Sequence, residues 1–458
     1  MTPLWTAAEL RAATGGTLAQ DVAIAGVAID SRGIAPGDLF VALRDARDGH
    51  DFVADALARG AAAAMVDRDP PGVAPDAPLL RVADTLAGLA ALGAAGRARS
   101  EARCVAVTGS VGKTTTKEML RIALAAFGPT HAAAASHNNQ WGVPLTLARL
   151  PRDAVFAVIE IGMNHRGEIA PLTRLARPDV ALITTIAPAH IGHLGSLSEI
   201  AEEKGDILLG VPRGGVLVAP ASSEFFPRLA RRAAEAGLAI RGFGEAAGDA
   251  RLLAYDGDAD GGRAEMLVNG ERIALQLAAP GRHLAYNATA ALAAVAALGL
   301  APRQAAGALA AFGAGSGRGR RLAIAVPGGT ALLIDDSYNG QPPAMRAGLA
   351  VLGVQRAARR IACLGDMREL GDHGPELHAA LAADAAEAAD LVFCCGPLMG
   401  HLHAALPPEK RGAHLPDSAA LVPVLKAALR PGDAVLVKGS LGSRMAVVVD
   451  ALTKDPRP

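Results

Sequence analysis

Aromatic residues make up only 3% of this 458-residue chain. So thin a supply of flat π surfaces argues against the base-stacking platforms of single-strand nucleic-acid binders. Neither sign of charge is in excess, since 45 Lys and Arg balance 45 Asp and Glu. No overall field therefore draws the molecule to nucleic acid or to an anionic membrane. Long apolar runs are also missing. The most apolar long run, Ala288 to Ala301, is alanine-rich and below the ~20 residues a bilayer-spanning helix needs, so no membrane insertion is expected. The start, Met1-Thr-Pro-Leu-Trp-Thr6, has no basic stretch leading into an apolar core, so no secretory signal is expected. Cysteine is scarce. Cys104, Cys363, Cys394 and Cys395 each lie in an apolar, strand-like run without CxxC spacing. They read as buried, reduced thiols of a cytosolic protein.

What the chain does have is glycine in a telling place. Cys104-Val-Ala-Val-Thr-Gly109-Ser110-Val111-Gly112-Lys113-Thr114-Thr115-Thr116 runs from an apolar strand through a tight turn into a helix reaching about Ala126. Glycines let backbone N–H groups approach phosphate, and the helix N-terminus adds partial positive charge. Lys113 is placed to meet the outer phosphates of a nucleoside triphosphate, and the Thr114 hydroxyl to hold Mg²⁺. The loop, Gly-x-x-Gly-Lys-Thr, is two residues shorter than the common phosphate-loop pattern.

Length predicts about three domains at roughly 150 residues each. Residues 1–98 form a small α/β unit rich in short strands and turns. Its local signature is Asp30-Ser31-Arg32, followed by the turn Pro36-Gly37 and the strand-like Leu39–Leu43. By residue type alone, positions 30–32 read as a turn. Residues 99–313 form the phosphate-loop unit. Strand-like runs at 103–108, 155–161 and 179–185 alternate with helical segments, the pattern of a parallel sheet with helices on both faces. Ligands in such sheets bind beyond the carboxyl ends of the strands. There the sequence places Glu160, and His190 after the turn at Pro188. Residues 314–458 repeat the pattern as a Rossmann-like α/β unit. Strand-like runs at 331–334, 361–364, 391–395 and 434–437 end in Asp335-Asp336, Gly365-Asp366, Gly396 and Lys438-Gly-Ser440.

One lysine sits on the wrong face of its helix. Ser196 and Glu199 have the spacing of a capping box. Projected onward, that helix puts Lys204 beside Ile200, Ala201, Ile207 and Leu208, with no acidic residue three or four positions away. Two readings stay open: a lysine snorkelling along an apolar face, or a desolvated amine whose lowered pKa frees it for chemistry.

In this order the motifs resemble those of the Mur ligases, the ATP-dependent amide-forming enzymes of peptidoglycan precursor synthesis. The matching pieces are Thr108–Thr116, Asn138-Asn139-Gln-Trp-Gly142-Val-Pro144, Glu160–Glu168, His190, Lys204, and Pro280-Gly-Arg-His283 with Asn287. They span nearly the whole chain. Ile334–Asn339, Leu364–Gly371 and Val437–Ser440 resemble the member that adds D-alanyl-D-alanine to a UDP-N-acetylmuramoyl tripeptide. The Asp-Asn-Pro-Arg signature of the diaminopimelate-adding sibling is absent.

The resemblance implies roles residue by residue. Gly109 to Thr115 cradle ATP. Thr114 and Glu160 hold one Mg²⁺, while His190 and a carbamylated Lys204 hold a second. Asn287, Arg318 and Asp336 contact the nucleotide across a domain cleft. Ser31 and Arg32 lie near the UDP-sugar, and Asn138, Asn139, Tyr338, Asn339 and Lys438 serve substrate. It also implies an acyl-phosphate route, with monomer as the default state. The chain departs from the family pattern at Ser136-His137, Leu284, Gly340-Gln341 and Val218–Ser223, which bears on the purine pocket and dipeptide site. A sibling ligase or a folylpolyglutamate-synthase-like enzyme remains an alternative. A nucleotide-switched binding module is a remoter one, lacking the guanine-selecting Asn-Lys-x-Asp signature.

Overall fold

The computed structural model describes residues 3–454, which form three main sheets in chain order and one two-stranded ribbon. The first contains four short parallel strands, Gly26–Ala28, Asp38–Val41, Ala63–Val66 and Leu79–Arg81, in that spatial order. A two-stranded antiparallel ribbon, Trp5–Thr6 with Ala23–Ile24, flanks it. The four residues of Ala63–Val66 are all buried, as expected where helices cover both faces of a parallel sheet.

The central sheet has nine strands. Thr130–Ala132, Phe156–Glu160, Arg103–Thr108, Val180–Ile183, Val216–Pro220 and Ala239–Gly244 lie side by side and parallel. The sheet continues through Ala250–Gly257 into an antiparallel extension, Gly262–Val268 and Glu271–Leu277. Apolar residues fill both faces. Val105, Val107, Val158 and Leu182 face helices Lys113–Ala125 and Arg282–Ala297. Cys104, Ala106, Ile159 and Ile183 face helices Gly142–Ala148, Ile169–Ala176 and Leu197–Gly205.

The third sheet orders Arg320–Val326, Gly329–Asp336, Asp433–Lys438, Arg359–Gly365, Leu391–Cys395 and Arg411–Leu415. The first pair is antiparallel and the rest are parallel. All four cysteines are free and buried, and burial pushes the Cys104 thiol up to about 12. These are core residues without a reactive thiolate. Among the described residues, no helix is long and apolar enough to cross a membrane.

One local expectation needs correction. Ser196 Oγ does accept from the Glu199 N–H at 3.2 Å, but Glu199 does not reach back to complete a capping box. Its carboxylate instead pairs with Arg166, because an exposed arginine competes for the same oxygen. The segment Gly49–Phe52 begins as a 3₁₀ turn, with α-helix only from Val53 to Ala58. The His50 ring is locked there between Asp48 and the Asp67 N–H.

Candidate functional site at the domain cleft

The phosphate loop lies at the carboxyl end of the central strand Arg103–Thr108, and helix Lys113–Ala125 starts directly beyond it. Gly109 has φ +148°, and a Cβ there would stand 1.9 Å from Thr184 Oγ1. Only glycine lets the loop lie this close to the neighbouring strand end. That neighbour also occupies two loop amides. The Ser110 N–H gives to Thr185 O at 2.9 Å, and the Val111 N–H to Thr185 Oγ1 at 3.0 Å. The donors left for an anion are therefore the first N–H groups of the helix, at Lys113, Thr114 and Thr115, which have no intrahelical partner. Lys113 Nζ gives to Gly109 O at 2.7 Å. Burial lowers its pKa, with Glu160 opposing and Arg318 reinforcing that shift.

Glu160 ends its strand fully buried, like the four residues before it. Its Oε1 accepts from Thr114 Oγ1 at 3.1 Å and from Asn138 Nδ2 at 2.7 Å. Its Oε2 is buried with no partner. An unpartnered buried carboxylate oxygen is costly, and a cation beside Thr114 would satisfy it. His190 takes a left-handed backbone, φ +59°. Its Nδ1 lies 2.5 Å from Glu369 Oε2, but out of line for a hydrogen bond.

Lys204 is 1% exposed, in the wall of Ile200, Ile207 and Leu208 that helical periodicity predicts. No hydrogen bond or ion pair holds it among the described residues, and its neighbour Glu203 is spent on the Gly167 and Ile169 N–H groups. Burial drives the Lys204 pKa well down, and the like charge of Lys113 lowers it further, with Glu203 opposing. The snorkelling alternative fails, because a snorkelling amine reaches solvent. Among the described residues no three His, Cys, Asp or Glu side chains converge into a metal cage. The donor set is instead one carboxylate, one imidazole, one hydroxyl and one neutralised lysine. A carbamate on that lysine would supply the missing anionic oxygen, so these residues fit a hard, oxygen-loving cation that keeps open positions for phosphate.

Loop 133–139 completes this wall. Lys117, wholly buried one turn after Lys113, gives Nζ–H bonds to Ala133 O at 2.6 Å and Ala135 O at 3.3 Å. The loop so tethered presents Ser136, whose Oγ meets Thr114 Oγ1 at 3.1 Å and Arg318 Nη2 at 3.0 Å. Asn139 caps the next helix, accepting from the Gly142 N–H at 3.0 Å.

The C-terminal sheet closes the cleft. A cavity of about 340 Å³ is lined by Val111, Gly112, Thr115, Asn287, Arg318 and Asp336, among others. Arg318 stacks over the Tyr338 ring at 4.5 Å. Lys438 Nζ meets Asp336 Oδ2 at 2.6 Å and Asn339 O at 2.9 Å. Burial raises the Asp336 pKa, with Lys438 pulling it back. A second cavity, about 1000 Å³, is walled by the N-terminal unit's Leu86 and Ala90 and by Asn138, Asn139, His165 and His190. A third, about 540 Å³, joins Lys113, Thr114, Glu160 and His190 to Tyr338, Arg368 and Glu369.

The structure thus brings together Gly109 to Thr115, Asn138, Glu160, His190, Asn287, Arg318, Asp336, Tyr338, Asn339 and Lys438. Ser31 and Arg32 stand apart. They form the turn their residue types suggest, with Arg32 exposed and paired only to Asp30, and they line none of these three cavities. Lys204 also lines none of them, sitting behind the wall. Sequence reasoning missed Ser136, Lys117 and Glu369 as site residues. Glu369 was visible inside the 364–371 motif, just past a strand end. Lys117 carried no signal.

A phosphate loop at the carboxyl end of a central parallel strand, facing a second α/β sheet across a cleft, defines a nucleotide-dependent enzyme whose site lies between two domains. Comparison with known proteins narrows the class. The Mur ligase family catalytic domain matches residues 23–97, the Mur ligase middle domain 107–295, and the Mur ligase glutamate ligase domain 317–441. The UDP-N-acetylmuramoyl-tripeptide--D-alanyl-D-alanine ligase of Synechocystis sp. is 36% identical over 439 residues, covering 95% of this chain and 93% of its own. A crystal structure of MurF from Acinetobacter baumannii superposes with a TM-score of 0.85 at 31% identity, covering 98% and 99% of the two chains. MurF ligase from Thermotoga maritima, in complex with ADP, gives 0.77 at 26% identity, covering 94% and 97%. The chain belongs to the Mur ligase family.

Proposed function

We propose that this chain joins D-alanyl-D-alanine to a UDP-N-acetylmuramoyl tripeptide at the expense of ATP. The carrying observation is the buried, unpartnered Lys204 coupled to Lys113 behind the phosphate loop, in a chain whose full-length relatives bear that ligase name. The C-terminal unit, about 314–458, completes the nucleotide site and receives the dipeptide. The N-terminal unit, about 1–98, takes the UDP-sugar.

The helix N-terminus and Lys113 hold the outer phosphates of ATP. The terminal carboxylate of the tripeptide attacks the γ-phosphorus, ADP leaves, and an acyl phosphate forms. The neutral dipeptide amine then attacks the acyl carbon, inorganic phosphate departs, and the amine's surplus proton passes to that phosphate, leaving a new amide. Lys113 and Arg318 offset the charge that shifts onto phosphate oxygens. Thr114, Glu160, His190 and Lys204 are the residues that would hold Mg²⁺, which when bound would supply positive charge to offset the negative charge building on the phosphate. For Lys204 the reactive form is the neutral amine, which burial supplies and which takes up CO₂, releasing one proton, to become a carbamate. The C-terminal sheet seals the cleft against water, which would otherwise hydrolyse the acyl phosphate.

A coupled ADP assay over a panel of acceptors tests the reading. Turnover is expected only when UDP-muramoyl tripeptide and D-alanyl-D-alanine are both present. Equal turnover with diaminopimelate and a dipeptide precursor, or with folate and glutamate, would replace it with one of the sibling activities.

A further inference from the structure

The 540 Å³ cavity has two unlike walls. The central unit contributes Lys113, Thr114, Glu160 and His190, which serve phosphate and metal. The other wall comes from the strand ends of the C-terminal sheet, and it carries Arg368, Glu369, Tyr338 and Leu441. Arg368 is built in at its base. Its N–H gives to Ser440 Oγ at 2.8 Å, and its carbonyl accepts from Gln341 Nε2 at 3.4 Å. Its side chain runs across Gly442, where a Cβ would meet Arg368 Cγ at 3.6 Å. Beyond that point it is exposed, and among the described residues its guanidinium makes no hydrogen bond and no ion pair. Arg318, by contrast, is already committed to Ser136 and the Tyr338 ring.

The next residue carries the opposite charge and is turned the other way. Glu369 has φ +68°, a left-handed backbone that a glutamate adopts only when its surroundings enforce it. Its carbonyl accepts from the Gly192 N–H at 3.1 Å, and its carboxylate lies against His190 on the central unit. Apolar surface lies in the same cavity: Leu441 is 63% exposed and Tyr338 39%. A fixed cation, a fixed anion and an uncovered apolar patch together complement a small zwitterion with short apolar side chains.

We propose that Arg368 binds the terminal carboxylate of the incoming dipeptide, with Leu441 against its methyl groups. The amine is then turned toward Glu369 and the activated carbonyl. A guanidinium fork matches a carboxylate bidentately, and phosphate already has Lys113 and the helix N-terminus. This assignment rests on the reading of the chain as a dipeptide-adding ligase and names the residue that selects the acceptor's free acid.

The test compares D-alanyl-D-alanine with its C-terminal amide, using the full-length enzyme, ATP and saturating tripeptide. The wild type is expected to favour the free acid by about 10- to 100-fold in kcat/KM, the size of a charge-assisted carboxylate contact. Arg368→Gln is expected to raise the dipeptide KM by a similar factor and to lose most of that preference. Its KM values for ATP and tripeptide should stay near wild type, and Arg368→Lys should keep part of the preference. Arg368→Gln retaining the full preference, or raising the KM of ATP rather than of dipeptide, overturns the assignment and leaves the ligase reading standing. A wild type that joins neither acceptor to any tripeptide overturns the ligase reading itself.

Discussion

In the proposed mechanism, Lys204 is the residue on which the chemistry of this site turns. A lysine with no partner at 1% exposure is destabilising as an ammonium, so burial holds it as an amine, and the Lys113 charge works in the same direction. Lys204→Ala is expected to reduce kcat by about 100-fold or more, since one side of the charge-stabilising set is removed. A short carboxylic acid added to that variant should restore part of the activity by standing in for the carbamate. Absence of rescue across a concentration series would count against the carbamate. The misplacement of Lys204 was legible, because helical periodicity alone sets it among Ile200, Ile207 and Leu208. Lys117 shows the opposite case. A lysine one turn into an amphipathic helix and next to Glu118, with which it pairs at 2.7 Å, reads as a solvated surface residue, and the two main-chain carbonyls it also holds have no sequence signature.

At the scale of elements, the short helix Ile191–Leu194 docks on the loop after strand Arg359–Gly365. Gly192 makes this possible. A Cβ there would stand 2.6 Å from Gly371 N, a backbone atom that cannot step aside alone. Gly192→Val is expected to push the two units apart and to lower kcat by about 10- to 100-fold, with thermal stability little changed. Kinetics and small-angle scattering on the same variant would check both halves. The base of the same loop has an acid-sensitive prop. The buried His378 accepts the Met367 N–H at Nε2, 2.9 Å away, with Nδ1 2.6 Å from Gly374 O. Burial lowers its pKa, with the Gly374 carbonyl opposing. The unfolded chain therefore takes the proton first, near pH 6.5. The stability His378 confers is complete above that pH and is lost as pH falls toward its folded value. Urea unfolding between pH 7.5 and 5 should show this loss, and His378→Leu should flatten the slope. Strand positions in the parallel core were legible as apolar runs with polar ends. The antiparallel extension was not read, although Asn269-Gly270 between alternating strands is a strong hairpin signal. Its strands bury only every second residue, so they lack the continuous apolar run that marks a parallel core.

Across the whole molecule, no single unit contains the site. Ser136, which touches Thr114 within the central unit, meets Arg318, and His190 lies against Glu369, only because the central and C-terminal sheets face each other. Three α/β units and a nucleotide cleft could be read from the sequence, since strand ends and the phosphate loop are local features. The pairing of side chains across the cleft could not, because it depends on how separate sheets dock. In the proposed reaction, that docking is what would let ATP, a muramoyl peptide and a dipeptide meet in one cleft. The most direct measurement is the mass of the product formed from ATP, UDP-N-acetylmuramoyl tripeptide and D-alanyl-D-alanine. The expected result is a UDP-muramoyl pentapeptide, the tripeptide plus one dipeptide less one water, formed in step with ADP and phosphate. ADP release without dipeptide incorporation under those conditions would contradict it.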